Sequence, residues 1–187
     1  QQDVVNEIND KWGNNVLIYG PILKIPYKTY SETTTFNEKT KTYLKETETH
    51  INYAYIFPES LDTDVDVNSK TLSRGNFESA VFTTNMKFSG QYIPTDLSEK
   101  GIKSDDIIWD KATVIIKTSN SKGIKSAMIL KLNDNNYTFQ TNYNADEEKY
   151  EGRLDVLESG FLKMEDIQNE ENSQFSITMS FNGSKQI

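Results

Sequence analysis

Apolar and polar residues alternate with a period of two along most of this chain, which is the spacing of half-buried β-strands. Val16–Tyr30 and Tyr43–Phe57 are long alternating runs rich in β-branched and aromatic residues. In the second, His50, Asn52, Ala54 and Ile56 oppose Ile51, Tyr53, Tyr55 and Phe57, and the aromatic set is predicted to face inward. Ser31–Thr42, rich in Thr and Lys, reads as a solvated connection or an extension of the strands. Pro58-Glu59-Ser60 ends the second run; Asp62–Ser69 and Asn76–Tyr92 follow, joined around Arg74-Gly75.

Farther on, Pro94–Asp106 is a polar connection, with a short turn at Ser104-Asp105-Asp106. Trp109–Thr118 holds Val114, Ile115 and Ile116 in succession, which suits a strand buried on both faces. Ser119–Gly123 is predicted as a turn, Ile124–Leu132 as a strand, and Asp134-Asn135-Asn136 as the punctuation of a hairpin into Tyr137–Thr141. Asn142–Gly152 reads as a mobile acidic loop, Leu154–Leu162 as a strand or short helix, and Met164–Ser173 as acidic and exposed. Gln174–Phe181 alternates as a strand, and Asn182-Gly183-Ser184 should turn the chain.

Two segments depart from this pattern. In residues 3–12, Val4, Val5, Ile8 and Trp12 recur at helical spacing, with Asp3 near the start and Gly13 at the end. That predicts one short N-terminal helix, capping the core or continuing an upstream helix. The second is the run from Gly20 to Tyr27, where Pro21 and Pro26 bracket Ile22, Leu23, Lys24 and Ile25. Proline cannot donate to a β-ladder, so this run is predicted at a sheet edge or strand end, as a docking edge.

Composition narrows the function. Only 35% of residues are hydrophobic and 26% are charged, so the core is thin, and Tyr and Phe supply much of it. The net charge of −8 repels phosphate backbones and argues against nucleic acid as a partner. The absence of cysteine excludes disulfides, thiolate catalysis and Cys-ligated metals. No run reaches the roughly 18 apolar residues of a membrane span. The chain opens at Gln1-Gln2 and stops soon after a turn signal, so it is expected to be one domain, 1–187, cut from something longer.

No residue set spells a reaction. Asp62, Asp64 and Asp66 alternate and could attract a hard cation, but the sixth and twelfth positions of an EF-hand loop would fall on Val67 and Ser73, so a solvated strand face is expected. Asp105, Asp106 and Asp110 flank Trp109 in the manner of a sugar site, yet acids are abundant here. His50 is the only histidine and has no Gly-x-Ser-x-Gly elbow to serve; it is expected exposed or bonded across a strand. Tyr19, Tyr27, Tyr30, Tyr53 and Tyr55 read as cross-strand packing, or as a platform for glycan or lipid headgroups. No cofactor or metal is expected.

The ordered set Trp12-Gly13, Gly20-Pro21-Ile22-Leu23-Lys24-Ile25-Pro26-Tyr27, Phe57-Pro58-Glu59-Ser60-Leu61 and Arg74-Gly75-Asn76-Phe77 resembles the CreD family. Val81-Phe82, Gly90, Trp109-Asp110-Lys111-Ala112, Lys122-Gly123-Ile124 and Phe181-Asn182-Gly183-Ser184 extend the resemblance over nearly the whole chain. These are bacterial inner membrane proteins associated with cell envelope integrity. The resemblance implies the first part of an extracytoplasmic region facing the periplasm, between membrane helices this chain lacks. It brings no catalytic residues. Its motif residues, Trp12, Gly20, Pro21, Pro26, Tyr27, Pro58, Glu59, Arg74, Gly75 and Trp109, become candidates for interaction or for turns, and Arg74 is expected to pair with Glu59.

The sequence therefore predicts a mostly β fold, a β-sandwich or twisted antiparallel sheets with a short N-terminal helix. Its function is expected to be non-enzymatic. Contacts would be with the rest of its own ectodomain and membrane helices, another envelope protein, a glycan or a lipid. A hydrolase using two carboxyls, or His50 with an acid and a hydroxyl, is the remaining alternative.

Overall fold

The computed structural model describes residues 17–74, 77–94, 96–119, 121–142, 154–168 and 171–186, with backbone alone for 72–74, 77–79 and 183–186. The expected helix at 3–12 and most of the acidic loop after Asn142 lie outside these residues.

Nine strands form a single ladder: β1 (Ile18–Asn37), β2 (Thr42–Ile56), β3 (Ser60–Arg74), β4 (Phe77–Tyr92), β5 (Thr113–Thr118), β6 (Ile129–Leu132), β7 (Asn135–Asn142), β8 (Asp155–Ser159) and β9 (Ser173–Gln186). Their order is β2-β1-β5-β8-β7-β6-β9-β4-β3, and every neighbouring pair is antiparallel. A single helical turn, α1 (Met164–Ile167), precedes β9.

The sheet is rolled. Its edge strands β2 and β3 are joined by residues 57–59 alone, so Ile56 and Ser60 lie within about 14 Å of one another at about 3.6 Å per residue. A flat sheet of this order would hold them about 38 Å apart at about 4.8 Å per strand. Side chains from opposite ends of the ladder accordingly meet: Leu23, Ile25 and Ile56 line the same small cavity as Tyr92 and Ile93. One continuous core fills the roll, with Leu23, Ile25, Val114, Ile116, Leu130, Leu157, Phe175 and Ile177 all buried. Leu97, Ile102 and Ala112, from the connection between β4 and β5, close it.

Residues paired across an antiparallel ladder share a face, so the inner set can be followed from strand to strand. On β2 it comprises Ala54 and Ile56, which face Ile25 and Leu23. The expectation that Ile51, Tyr53, Tyr55 and Phe57 point inward is therefore reversed. The period of two was right, but burial fell to the set containing the small Ala54, which sits against β1 near the start of the core.

Two other expectations change. The β1 run is interior, not an edge, because it pairs with β2 on one side and β5 on the other. Pro21 sits where the β5 register shifts between Tyr19 and Ile22, and the β5 ladder stops at Lys24↔Thr113, before Pro26. Beyond that point the Pro26 carbonyl accepts from the Ile108 N–H at 2.9 Å. Each proline thus occupies a place where the ladder needs no donor. Likewise the turn expected at Asn182-Gly183-Ser184 does not occur: β9 runs on to Gln186, paired with β4 out to Ser79.

Ser31–Thr42 is strand extension rather than loose connection. The β1–β2 hairpin continues as an arm whose residues 31–53 are exposed on both faces. Its tip is closed by Asn37, whose side chain accepts the Lys39 N–H at 3.0 Å, and by Lys41 at φ 54°. Phe36 packs on Tyr43 there, with ring centroids 5.1 Å apart.

Candidate functional site

The residues facing solvent on the far side of β2 from the core are the aromatic row itself. Ile51 (47% exposed), Tyr53 (46%) and Tyr55 (48%) stand beside Lys28, Pro26 and Lys24 of β1, and Phe57 (67%) follows directly after the strand. The adjoining outward residues continue the face with Tyr19, 52% exposed, and Lys117. Such a row is costly to leave in water, at about 25 cal/mol per Å² of apolar surface. It is the feature of this fold most in want of a partner.

Its rigidity comes from the strand beneath. Lys24 lies 4.4 Å from the centroid of the Tyr53 ring and donates to Glu158 Oε1 at 2.9 Å. Glu158 also accepts from Thr113 Oγ1 at 2.8 Å and Asn142 Nδ2 at 2.6 Å. Burial acts to raise the Glu158 carboxyl, but the hydrogen bonds from Lys24, Thr113 and Asn142 and the Lys24 charge prevail, holding it below the usual range. The cation over Tyr53 is therefore fixed through four strands, β1, β5, β7 and β8.

The other sequence candidates separate. Gly20 adopts φ +116°, and a Cβ there would meet the Ile115 carbonyl oxygen at 2.9 Å, so its role is backbone geometry at the β1–β5 bulge. Pro21 and Pro26 are buried, and Tyr27 is half-buried and bridged to Ile107. Pro58 and Glu59 form the corner between the edge strands, with Glu59 N–H donating to Gln91 O at 2.9 Å. Trp109 packs against the core and lines the cavity with Tyr92. Trp12 and Gly75 lie outside the described residues. Arg74 closes β3 at the end opposite Glu59, which separates the two by roughly 46 Å of strand at about 3.3 Å per residue. The expected Arg74–Glu59 pair is therefore corrected.

Asp62, Asp64 and Asp66 do share one exposed face of β3, beside Lys87 of β4. No group of three metal-ligating side chains gathers among the described residues. His50 is exposed and bonded across the hairpin to Ser31 Oγ at 2.9 Å, with Glu48 3.8 Å away. Asp106 accepts the Tyr30 hydroxyl at 2.8 Å.

Sequence reasoning missed a buried polar knot under α1. Met164–Ser173 was expected exposed, yet Asp166 is 2% exposed. Its carboxylate accepts from the Tyr137 hydroxyl and from Asn135 Nδ2 at 3.2 Å, and its carbonyl accepts from Ser173 Oγ at 2.6 Å. Burial and the Asp166 hydrogen bond push Tyr137 up to about 12. The knot ties α1 to the β6–β7 hairpin; its one sequence signal was the Asn133–Tyr137 cluster of turn amides.

With the geometry in place, the family model described as inner membrane protein CreD matches residues 1–187, the whole chain. The chain belongs to the CreD family. No curated protein and no solved structure matches it. No helix among the described residues of this CreD-family chain is long and apolar enough to cross a membrane.

Proposed function

We propose that this chain is a non-enzymatic extracytoplasmic module of a CreD-family inner membrane protein, facing the periplasm, that contributes to envelope integrity by contact. The observation that carries this reading is the exposed row Ile51, Tyr53 and Tyr55 on an edge strand, with Phe57 directly after it, on the side away from the core. Aromatic residues concentrate at contact surfaces because they desolvate a large area for few frozen torsions. The docking surface proposed is thus the β2 row, in place of the Gly20–Tyr27 run. The test is Tyr53→Ser with Tyr55→Ser in the full-length protein. Detergent sensitivity of the envelope should rise to that of a deletion strain while the protein's membrane level is unchanged. Wild-type resistance at wild-type levels would refute the reading.

A second reading, a module that binds glycan or lipid headgroups, is favoured by one detail: Tyr53 and Tyr55 form an open row beside the fixed Lys24 cation. Stacking and cation contacts of this kind suit sugars and interfacial lipid. A rise in melting temperature with a glycan or lipid panel, abolished by the same two substitutions, would support it; no rise with any ligand would remove it.

A further inference from the structure

We propose that β2 is a self-association edge, pairing antiparallel with β2 of a second copy about a two-fold axis that passes at Tyr53. This deepens the contact reading above, since it names the occupant of the same strand.

The backbone of β2 is set for it. The Pro26 carbonyl accepts from Ile108, on the side of β1 away from β2. Pro26 and its partner Tyr53 are therefore a non-hydrogen-bonded pair within β1–β2. By the two-residue period, Ile51, Tyr53 and Tyr55 direct their N–H and C=O groups outward, into the open edge. Natural edges are usually blunted by proline, bulges, charge or short length. β2 has none of these over its inner half. It is paired to β1 without a register shift, and Thr49–Phe57 holds no Asp, Glu, Lys or Arg.

The side chains favour a second copy. With Tyr53 on the axis, Ile51 faces Tyr55 of the partner subunit and Asn52 faces Ala54 of the partner subunit. The outer pairs are then aromatic with aromatic or β-branched, the combinations that stabilise adjacent strands, and no like charges oppose. The other edge does not allow the same. Self-pairing of β3 about Asp64 would set Asp62 against Asp66 of the partner subunit and Asp64 against itself. Head-to-tail pairing of β2 with β3 is disfavoured too. In a sheet of nine alternating strands the two edge strands run the same way, so that contact would be a parallel pair and would not close.

This chain has no cysteine, so single cysteines can be placed in it for a register test by oxidative crosslinking of the full-length protein in native membranes, with any cysteine outside these 187 residues first replaced by serine. Tyr53→Cys alone should give a disulfide dimer, because the two Cα atoms would lie about 5.5 Å apart. Ile51→Cys alone and Tyr55→Cys alone should give at least about tenfold less, because each residue's own copy lies about 13 Å along the strand, beyond disulfide reach. Differently tagged Ile51→Cys and Tyr55→Cys copies, expressed together, should crosslink to each other; this pair keeps the test alive if Tyr53→Cys disturbs the strand. Equal yields at positions 51, 53 and 55, stronger crosslinking through Asp64→Cys, or a Tyr53→Cys adduct only to another protein would overturn the dimer. If the crosslinks are absent while Tyr53→Ser with Tyr55→Ser still sensitises the envelope, the contact reading stands and the second copy is excluded.

Discussion

Asp166 offers the sharpest test of how this rolled sheet is held. It is a carboxylate buried to 2% exposure, with no cation among its hydrogen-bond donors. Replacing it with alanine removes the acceptor of the Tyr137 O–H, whose oxygen still accepts the Lys163 N–H at 3.1 Å, and of the Asn135 amide. Hydrogen bonds to a charged group are worth about 1.5–3 kcal/mol each, and Asn135 is half-exposed and can rehydrate, so the lower figure for each gives a loss of about 3 kcal/mol. For a chain of this size that lowers the melting temperature by about 6–12 °C. Asp166→Asn should cost less, about 1 kcal/mol, because the remaining carbonyl keeps one donor and the Tyr137 oxygen can accept a second N–H. Urea unfolding followed by circular dichroism measures both. A double-mutant cycle with Tyr137→Phe should return a coupling of at least about 1 kcal/mol. An Asp166→Ala loss below about 1 kcal/mol, or no coupling to Tyr137, would refute the claim that this knot pins α1 to the β6–β7 hairpin.

Three further outcomes follow from named atoms. Tyr92 buries its hydroxyl without a hydrogen-bond partner, so Tyr92→Phe should raise stability by about 1 kcal/mol, and a lower melting temperature would contradict it. Gly90 packs so that a Cβ would lie 2.0 Å from the Ser60 carbonyl oxygen; Gly90→Ala must displace the start of β3 and should destabilise by about 3 kcal/mol or more, with unchanged unfolding as the contrary result. Glu158 is held below the usual carboxylate range, so its stabilisation is complete above the unfolded value of about 4.3 and is lost as pH falls through the lower folded value. The stability gap between wild type and Glu158→Gln should accordingly close on acidification, and a gap that widens in acid would reverse the assignment.

Much of this architecture is present in local pattern. The period of two marked β1, β2 and β9, since alternation, as of Leu23 and Ile25 or of Phe175, Ile177 and Met179, sets one buried apolar face apart directly. The consecutive burial of Val114, Ile115 and Ile116 followed from a run with no polar face. Asp62, Asp64 and Asp66 were rightly read as a solvated face, because three like charges at that spacing have no apolar environment to enter. The family, too, was legible in the ordered Gly-Pro, Pro-Glu and Arg-Gly punctuation.

Tertiary structure decided which face is which. Alternation divides β2 into two sets but does not say which of them meets the core; in the fold Ala54 and Ile56 turn inward and Tyr53 and Tyr55 are left to solvent. Local rules likewise placed the two prolines at an edge, and only the strand order showed β1 inside the sheet, with β2 as the edge. Glu59 and Arg74 were matched by charge but lie at opposite ends of one strand. Period and turn chemistry depend on neighbours in sequence, so one chain suffices to read them. Facing, strand order and the buried Asp166 knot depend on residues far apart in the chain, brought together only when the sheet rolls and its two edges meet at residues 57–59.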